Sequence, residues 1–406
     1  MKSTLLTLAL AASSAVHAQT QTSYGQCGGN TYLGPTACPT GQYCSGANDY
    51  YQGCVPGTAP PTSTRPRPTA TRAPASGKRV KFAGVNIAGF DFGCDTTGTC
   101  GASSAYPPGA KGAGQMDHFV LDDGLNAFRL PVSWQYLVDG VLGGPINANN
   151  LAIYDKLVQA CIASGAAICE IDIHNYARWN GKVIGQDAGA PTNAQFAAFW
   201  ASLAAKYANN DKVAFGVMNE PHDLNNTLWA VTVQAAVTAI RAAGATTNYV
   251  LIPGTNYASA GQFLDNGSGA ALLPVHNPDG TFTNIIFDVH KYLDSDNSGT
   301  HPQCVTNNSA VFTTLGNWLR THKRQAFLTE TGGGPTDPTC LTNLCQQFET
   351  MNSYNDVYLG WIGWAAGNFD PSYVLSEVPT PNADGSWTDV PLVTKCVAGE
   401  FNGDSS

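Results

Sequence analysis

The chain has 406 residues and a formal net charge of −9. Only 12% of its residues are charged, against roughly 25% in an average soluble domain, so its solvation must rest on Asn, Thr, Ser and Gln, as suits an enzyme soluble at mildly acidic pH with a neutral polymer as substrate. No cluster of lysine and arginine tracks an aromatic patch, which excludes nucleic acid and anionic membrane as partners.

In chain order, Lys2 precedes an apolar run from Leu5 to Ala12 and small residues ending in Val16-His17-Ala18. That pattern predicts a secretory signal over residues 1–18, a mature chain starting at Gln19 and an extracellular protein. The run is too short for an anchor and is broken by Ser13, Ser14 and His17, and no later segment is long and apolar enough to span a bilayer. Twelve cysteines suit an oxidising compartment. Three Asn-x-Ser/Thr triplets, at Asn225, Asn266 and Asn307, are compatible with it.

Residues 19–54 hold four cysteines, many glycines and too few aliphatic residues for a core, so a domain this small needs disulfide staples. Four cysteines allow three pairings, and spacing does not choose between them. Residues 55–76 turn to Pro, Thr, Ala and Arg, the composition of an extended, O-glycosylated linker that cannot bury a core. Residues 77–406 have the size of one (β/α)8 domain. Buried-strand candidates recur eight times, at 80–86, 127–130, 167–173, 213–219, 249–253, 285–290, 326–329 and 359–364. Helical spacing lies between them at 151–164, 194–208, 228–243, 311–322 and 341–353. Such alternation predicts a parallel sheet with crossover helices. An open doubly wound sheet would carry a Gly-rich phosphate fingerprint after its first strand, and none is present.

Two of these strands end in glutamate, at Val217-Met218-Asn219-Glu220-Pro221 and Phe327-Leu328-Thr329-Glu330-Thr331. In a barrel, the C-terminal ends of different strands converge on one face. Two carboxyl groups meeting there are what glycoside hydrolysis needs, one to protonate the leaving oxygen and one to attack or screen the anomeric carbon. Other strand ends carry Arg129, His174, Asn175, Asn219, His290, Tyr292 and Trp364. Each alone could be packing, but inward barrel positions are mostly Val, Ile and Leu, so their recurrence at successive ends marks a site.

The strings Phe128-Arg129-Leu130-Pro131, Asp172-Ile173-His174-Asn175-Tyr176, Asn219-Glu220-Pro221-His222, His290-Lys291-Tyr292-Leu293-Asp294, Thr329-Glu330-Thr331-Gly332 and Gly363-Trp364-Ala365-Ala366-Gly367 resemble the motif set of family 5 glycoside hydrolases, with the secreted fungal endo-β-1,4-glucanases the nearest likeness. The resemblance implies an α/β fold, a (β/α)8 TIM barrel, with Glu220 as acid/base and Glu330 as nucleophile of a retaining double displacement. Arg129 and the Tyr292 hydroxyl are suited to hold Glu330 ionised. Glu220 must start protonated, which a less polar setting and a neighbouring like charge favour. Asn219 is suited to the sugar 2-hydroxyl, His174, Asn175 and His290 to further hydroxyls, and Trp364 to the flat face of a pyranose. Tyr176, Trp179, His222 and Trp229 are candidates to line further subsites. The same resemblance pairs Cys94 with Cys100, Cys161 with Cys169, Cys304 with Cys340 and Cys345 with Cys396.

Two other clusters attract attention. Asp294-Ser295-Asp296-Asn297-Ser298-Gly299 begins like a calcium loop, but its twelfth position is Val305 and no helix pair flanks it. His301 lies near Cys304, yet an even cysteine count in an oxidising compartment favours disulfides over zinc.

Near the N-terminus, Tyr24-Gly25-Gln26-Cys27-Gly28-Gly29, Gly34-Pro35-Thr36-Ala37-Cys38 and Tyr50-Tyr51-Gln52-Gly53-Cys54 resemble a fungal family 1 cellulose-binding module. That implies a platform of Tyr24, Tyr50 and Tyr51, helped by Gln26 and Asn48, with disulfides Cys27–Cys44 and Cys38–Cys54. One position departs from the pattern, since the residue before the last cysteine, usually glutamine, is Gly53. The expected protein is a monomeric secreted endo-β-1,4-glucanase acting on cellulose and soluble β-glucans, with neither metal nor organic cofactor. Activity on β-mannan, mixed-linkage glucan or xyloglucan is the alternative on the same fold, and a catalytically silent polysaccharide-binding protein is the alternative of another class.

Overall fold

The computed structural model describes residues 20–48, 51–58 and 79–403. The expected signal segment, most of the expected linker and Tyr50 lie outside them. Among the described residues no helix is long and apolar enough to cross a membrane.

The first unit is a three-stranded antiparallel sheet of β1 (Gln26–Gly28), β2 (Gln42–Asn48) and β3 (Tyr51–Pro56), in the order β1-β3-β2. Disulfides Cys27–Cys44 and Cys38–Cys54 cross it. Its buried apolar residues are Cys27 and Cys54, so the staples take the place of a core. The last strand runs to Pro56, past Cys54 and into the stretch read as linker.

The second unit is a closed, all-parallel barrel of eight strands: β4 (Phe82–Ala88), β5 (Ala127–Val132), β6 (Ile168–Ile173), β9 (Val213–Gly216), β10 (Val250–Pro253), β11 (Ile285–His290), β12 (Ala326–Thr331) and β13 (Tyr358–Gly367). Short ribbons β7 (Arg178–Trp179) with β8 (Lys182–Val183), and β14 (Thr380–Pro381) with β15 (Trp387–Thr388), decorate its loops. Every barrel strand is buried along its whole length, as expected for a sheet covered by helices outside and filled by side chains inside. The fourth strand is shorter than the 213–219 expected, because the chain leaves the sheet after Gly216 and carries Asn219 and Glu220 over the barrel mouth.

Helices α1 (Gly109–Leu121), α3 (Ala148–Ser164), α4 (Asn193–Tyr207), α5 (Asn226–Ala242), α7 (Ser309–His322) and α8 (Pro338–Ser353) return the chain between strands, with shorter α2 (Trp134–Leu137), α6 (Ser268–Leu272) and α9 (Gly399–Asn402). Starts are fixed locally: Asn147, Thr192, Asn225 and Asp337 each accept a hydrogen bond from the first turn of the helix they precede, and Thr192 with Gln195 forms a reciprocal cap. Helix α1 has no counterpart in the sequence reading, since three glycines and few large apolar residues blur its period; packing decides instead, through buried Met116 and Phe119.

Four disulfides fasten this unit, Cys94–Cys100, Cys161–Cys169, Cys304–Cys340 and Cys345–Cys396. The calcium-like loop is hydrogen-bonded within itself. Asp294 Oδ2 accepts from Thr300 N at 3.1 Å and Ser298 Oγ at 3.2 Å.

Candidate active site

Alternation along a strand sends every second side chain into the barrel. On β6 that column reads Ile168, Glu170, Asp172, and on β11 it reads Ile286, Asp288, His290. The expectation of an aliphatic interior therefore holds only at the N-terminal end of the strands. Above it, the middle of this barrel is polar.

Arg129 on β5 is the hub, with no exposed surface. Its Nη1 donates to Glu330 Oε2 at 2.9 Å and to Asn86 Oδ1 at 3.2 Å. Its Nη2 donates to Asn219 Oδ1 at 2.7 Å and lies 3.1 Å from Asp172 Oδ2. The second Glu330 oxygen accepts from the Tyr292 hydroxyl at 2.7 Å. Both oxygens of Glu330 are thus held in place, one by a cation and one by a phenol.

Glu220 has a different setting. Its backbone adopts φ +40°, a left-handed conformation uncommon for a residue with a side chain, at the point where the chain turns over the mouth. Its Oε1 lies 2.8 Å from His290 Nδ1. Burial pushes the Glu220 carboxyl up to about 7, although His174 and Arg129 pull the other way. Glu220, His290 and Glu330 each bring a side-chain N or O within 4.8 Å of the other two. The same burial pulls His290 below the usual imidazole range.

Burial also acts on Asp172, but Arg129 and the hydrogen bond with His174 outweigh it and hold that carboxyl below its ordinary value. His174 Nδ1 lies 2.8 Å from Asp172 Oδ2, and this partner raises the histidine despite its burial. The imidazole stacks on Trp364, with ring centroids 5.6 Å apart and planes 12° from parallel, and Trp364 Nε1 donates to the Tyr373 hydroxyl at 3.2 Å. Asn219 Nδ2 is buried and has no partner among the described residues.

The structure therefore brings Arg129, His174, Asn219, Glu220, His290, Tyr292, Glu330 and Trp364 together. Asn175 is a correction. Its Oδ1 accepts from Trp134 N at 2.7 Å and its Nδ2 donates to Gln135 Oε1 at 2.6 Å, so its amide anchors the start of α2 and has no sugar-binding face. Trp229 and Trp179 are corrections as well. Trp229 is 1% exposed and donates to Pro253 O, and Trp179 packs edge-on against Trp134 in the core. Tyr176 and His222 do reach the mouth, with His222 stacked on Tyr257 at 4.4 Å. Tyr257, 38% exposed, was missed, as were Asn86 and Tyr373. Asn86, near the C-terminal end of β4, is a polar residue within a buried apolar strand, a signal of the same kind as Arg129; Tyr257 and Tyr373 stand in loops that carry none.

On the module, Tyr24 is 67% and Tyr51 49% exposed, and the Tyr51 hydroxyl donates to Tyr24 O at 3.3 Å. Gln26 Nε2 donates to Gly28 O at 3.1 Å. Tyr50 and the side chain of Asn48 lie outside the described residues.

A parallel eight-stranded barrel whose mouth holds two carboxylic acids in contrasting environments, within reach of each other, defines a glycoside hydrolase. The comparisons with known proteins narrow the class. Residues 75–367 match the cellulase family, glycosyl hydrolase family 5, and residues 23–51 match the fungal cellulose binding domain. The chain is 54% identical over 399 residues to endoglucanase EG-II of Hypocrea jecorina, covering 93% of this chain and 94% of that one. It is 46% identical to the manganese dependent endoglucanase Eg5A of Phanerodontia chrysosporium, covering 92% and 93%. The crystal structure of Cel5A (EG2) from Hypocrea jecorina superposes with a TM-score of 0.76 at 56% identity, over 79% of this chain and 98% of that one. XacCel5A in complex with cellopentaose superposes with a TM-score of 0.69 at 31% identity, over 79% and 99%. The chain belongs to glycosyl hydrolase family 5 and carries a fungal cellulose-binding module.

Proposed function

We propose that this chain is a secreted endo-β-1,4-glucanase that cleaves cellulose and related β-glucans with retention, using Glu220 as acid/base and Glu330 as nucleophile. The supporting observation is the contrast between the two carboxyls. Glu330 is gripped by Arg129 and Tyr292, which favours the anion needed for attack. Glu220 is lifted to about 7 by burial, which keeps a transferable proton at mildly acidic pH.

In the first step Glu330 attacks the anomeric carbon as the glycosidic bond breaks, and Glu220 delivers its proton to the leaving oxygen. Glu330 loses its charge on forming the ester, so Glu220 ionises more readily and takes a proton from the incoming water. That water attacks the anomeric carbon and frees Glu330. A separation within 4.8 Å suits direct attack, since retaining pairs stand about 5–5.5 Å apart and inverting pairs about 6.5–9.5 Å. Asn219, held through Oδ1 by Arg129, has its Nδ2 available for the sugar 2-hydroxyl, a contact that strengthens in the oxocarbenium-like state.

The domain boundaries proposed are a signal over 1–18, the module from 19 with its last strand carried past 54 to Pro56, a linker from there to 76 and the catalytic domain over 77–406. The module's exposed tyrosines stack on glucose rings of a solid chain and raise the local concentration of the barrel there. The decisive experiment follows the first product of a soluble cello-oligosaccharide by proton NMR. Retention of the β-anomer, with cleavage abolished in both Glu330→Gln and Glu220→Gln, is expected; an initial α-anomer, or undiminished cleavage by Glu330→Gln, overturns the mechanism. Both chemical roles fall to carboxyl groups, so enzyme treated with EDTA is expected to keep its rate on carboxymethylcellulose, and a loss restored by manganese would contradict this.

A further inference from the structure

Behind Glu220 runs a chain of hydrogen bonds that the two-carboxylate mechanism does not use. His290 Nδ1 faces Glu220 Oε1 at 2.8 Å. On the far side of the ring, His290 Nε2 lies 3.2 Å from Thr329 Oγ1. Thr329 in turn donates to Asp288 Oδ1, and Nε2 itself is 3.9 Å from that oxygen. All three residues of the chain are buried, and Asp288 Oδ2 has no partner among the described residues.

The direction of this chain follows from counting hydrogens. A threonine hydroxyl has one, and Oδ1 of an Asp288 carboxylate, or of an acid whose proton sits on the partnerless Oδ2, can only accept. The Thr329 hydrogen therefore lies toward Asp288. Thr329 Oγ1 is left to accept from His290, which requires hydrogen on Nε2. In a neutral imidazole Nδ1 is then bare. A bare nitrogen opposite Glu220 Oε1 is satisfied by a carboxylic acid and repelled by a carboxylate.

We propose that Asp288 is a positioning residue for the acid/base: acting through Thr329, it fixes His290 as the Nε2–H tautomer, whose Nδ1 lone pair keeps Glu220 in its protonated resting form. This deepens the reading of Glu220 as the acid and rests on it. The depressed basicity of the buried His290 agrees with a neutral ring. The other charged groups facing this chain are Glu330 on β12, Arg129 on β5, Glu170, Asp172 and His174 at β6, and His222 beyond β9. Arg129 and the histidines favour an ionised Glu220, so an acceptor that favours the acid must work against them.

Two measurements test the proposal. In the full-length wild-type protein labelled with 15N-histidine, the His290 signals, assigned by their loss in His290→Gln, should show a protonated Nε2 and an unprotonated Nδ1 near pH 6; the opposite tautomer overturns it. In Thr329→Val or Asp288→Leu the Nε2 hydrogen loses its acceptor chain, the ring turns over to Nδ1–H, and that hydrogen stabilises the Glu220 anion. The alkaline limb of kcat/KM should then move down by about one pH unit, with Thr329→Ser restoring it. An alkaline limb unmoved in folded Thr329→Val, with activity lowered equally at every pH, would mean a merely structural role and end the proposal. Failure of the acid assignment reads out separately, as undiminished cleavage by Glu220→Gln, whereas the tautomer is measured without turnover.

Discussion

The two ends of the barrel are built on opposite principles. At the N-terminal end, Phe82, Ala127, Ile168, Ala214, Leu251, Ile286, Phe327 and Leu359 close the interior with one apolar layer drawn from all eight strands, and Phe82 stacks on Phe327 at 5.8 Å. Two residues further along, the inward positions become Gly84, Arg129, Glu170, Gly216, Asp288 and Thr329. Glycine is required at some of these: a Cβ on Gly216 would stand 2.4 Å from Glu170 Oε1, and one on Gly84 only 1.5 Å from Ala127 O. The lower layer resists change by dispersion and exclusion of water, which need no particular orientation. The upper layer is held by directional bonds around a single cation, and each member matters to the others.

Removing that cation should do the most damage. Arg129→Met leaves Glu170, Asp172, Asp288 and Glu330 without the guanidinium they share, so a loss of about 3–5 kcal/mol in stability is expected, together with a drop of about 10²–10³-fold or more in turnover. Thermal unfolding and reducing-end release below the midpoint check both; unchanged turnover in a folded variant would show that Arg129 is structural only. Phe327→Ala breaks the opposite end. It should cost about 3–5 kcal/mol and lower the unfolding midpoint while leaving kcat unaltered at temperatures where the protein is folded. If kcat falls with the midpoint, the two layers are not separable.

Titration sharpens the contrast without any mutation. In the proposed mechanism Glu220 acts in its protonated form, and burial lifts it to about 7, so kcat/KM should hold below that value and decline as pH rises through it. A profile level to pH 9 would assign the proton to another group. The smallest effect belongs to the module. Tyr24→Ala removes one exposed ring, and binding to crystalline cellulose should weaken by about 5- to 30-fold, as for a loss of about 1–2 kcal/mol, with hydrolysis of soluble carboxymethylcellulose unchanged. Equal losses on both substrates would place Tyr24 in catalysis.

Much of this was legible in the sequence because two regular signals coincide. Apolar runs at intervals mark the strands, and a polar residue at the end of most runs marks the mouth, which is how Arg129, Glu220 and Glu330 stand out. The same signal misled at Asn175, two residues past the end of β6. There the backbone has left the strand, Tyr176 takes φ +54°, and alternation says nothing of where the Asn175 amide lies. Trp179 and Trp229 are aromatic and near motifs, but only tertiary packing shows that both are core. Tyr257 follows β10, where Pro253-Gly254-Thr255 carries no charge to attract notice. The polar middle layer was visible in principle: Glu170, Asp172 and His174 recur with the period of two that places them all inside.

The disulfide between Cys345 on α8 and Cys396 near the C-terminus spans 51 residues of chain, including the exposed ribbon of β14 and β15. A protease that nicks this ribbon therefore releases nothing. The severed tail remains tethered to the body by sulfur, and Val397 still receives the indole hydrogen of Trp361, at 3.1 Å, against the last barrel strand. Clipped and intact molecules would run alike under denaturing electrophoresis until a reductant separates them.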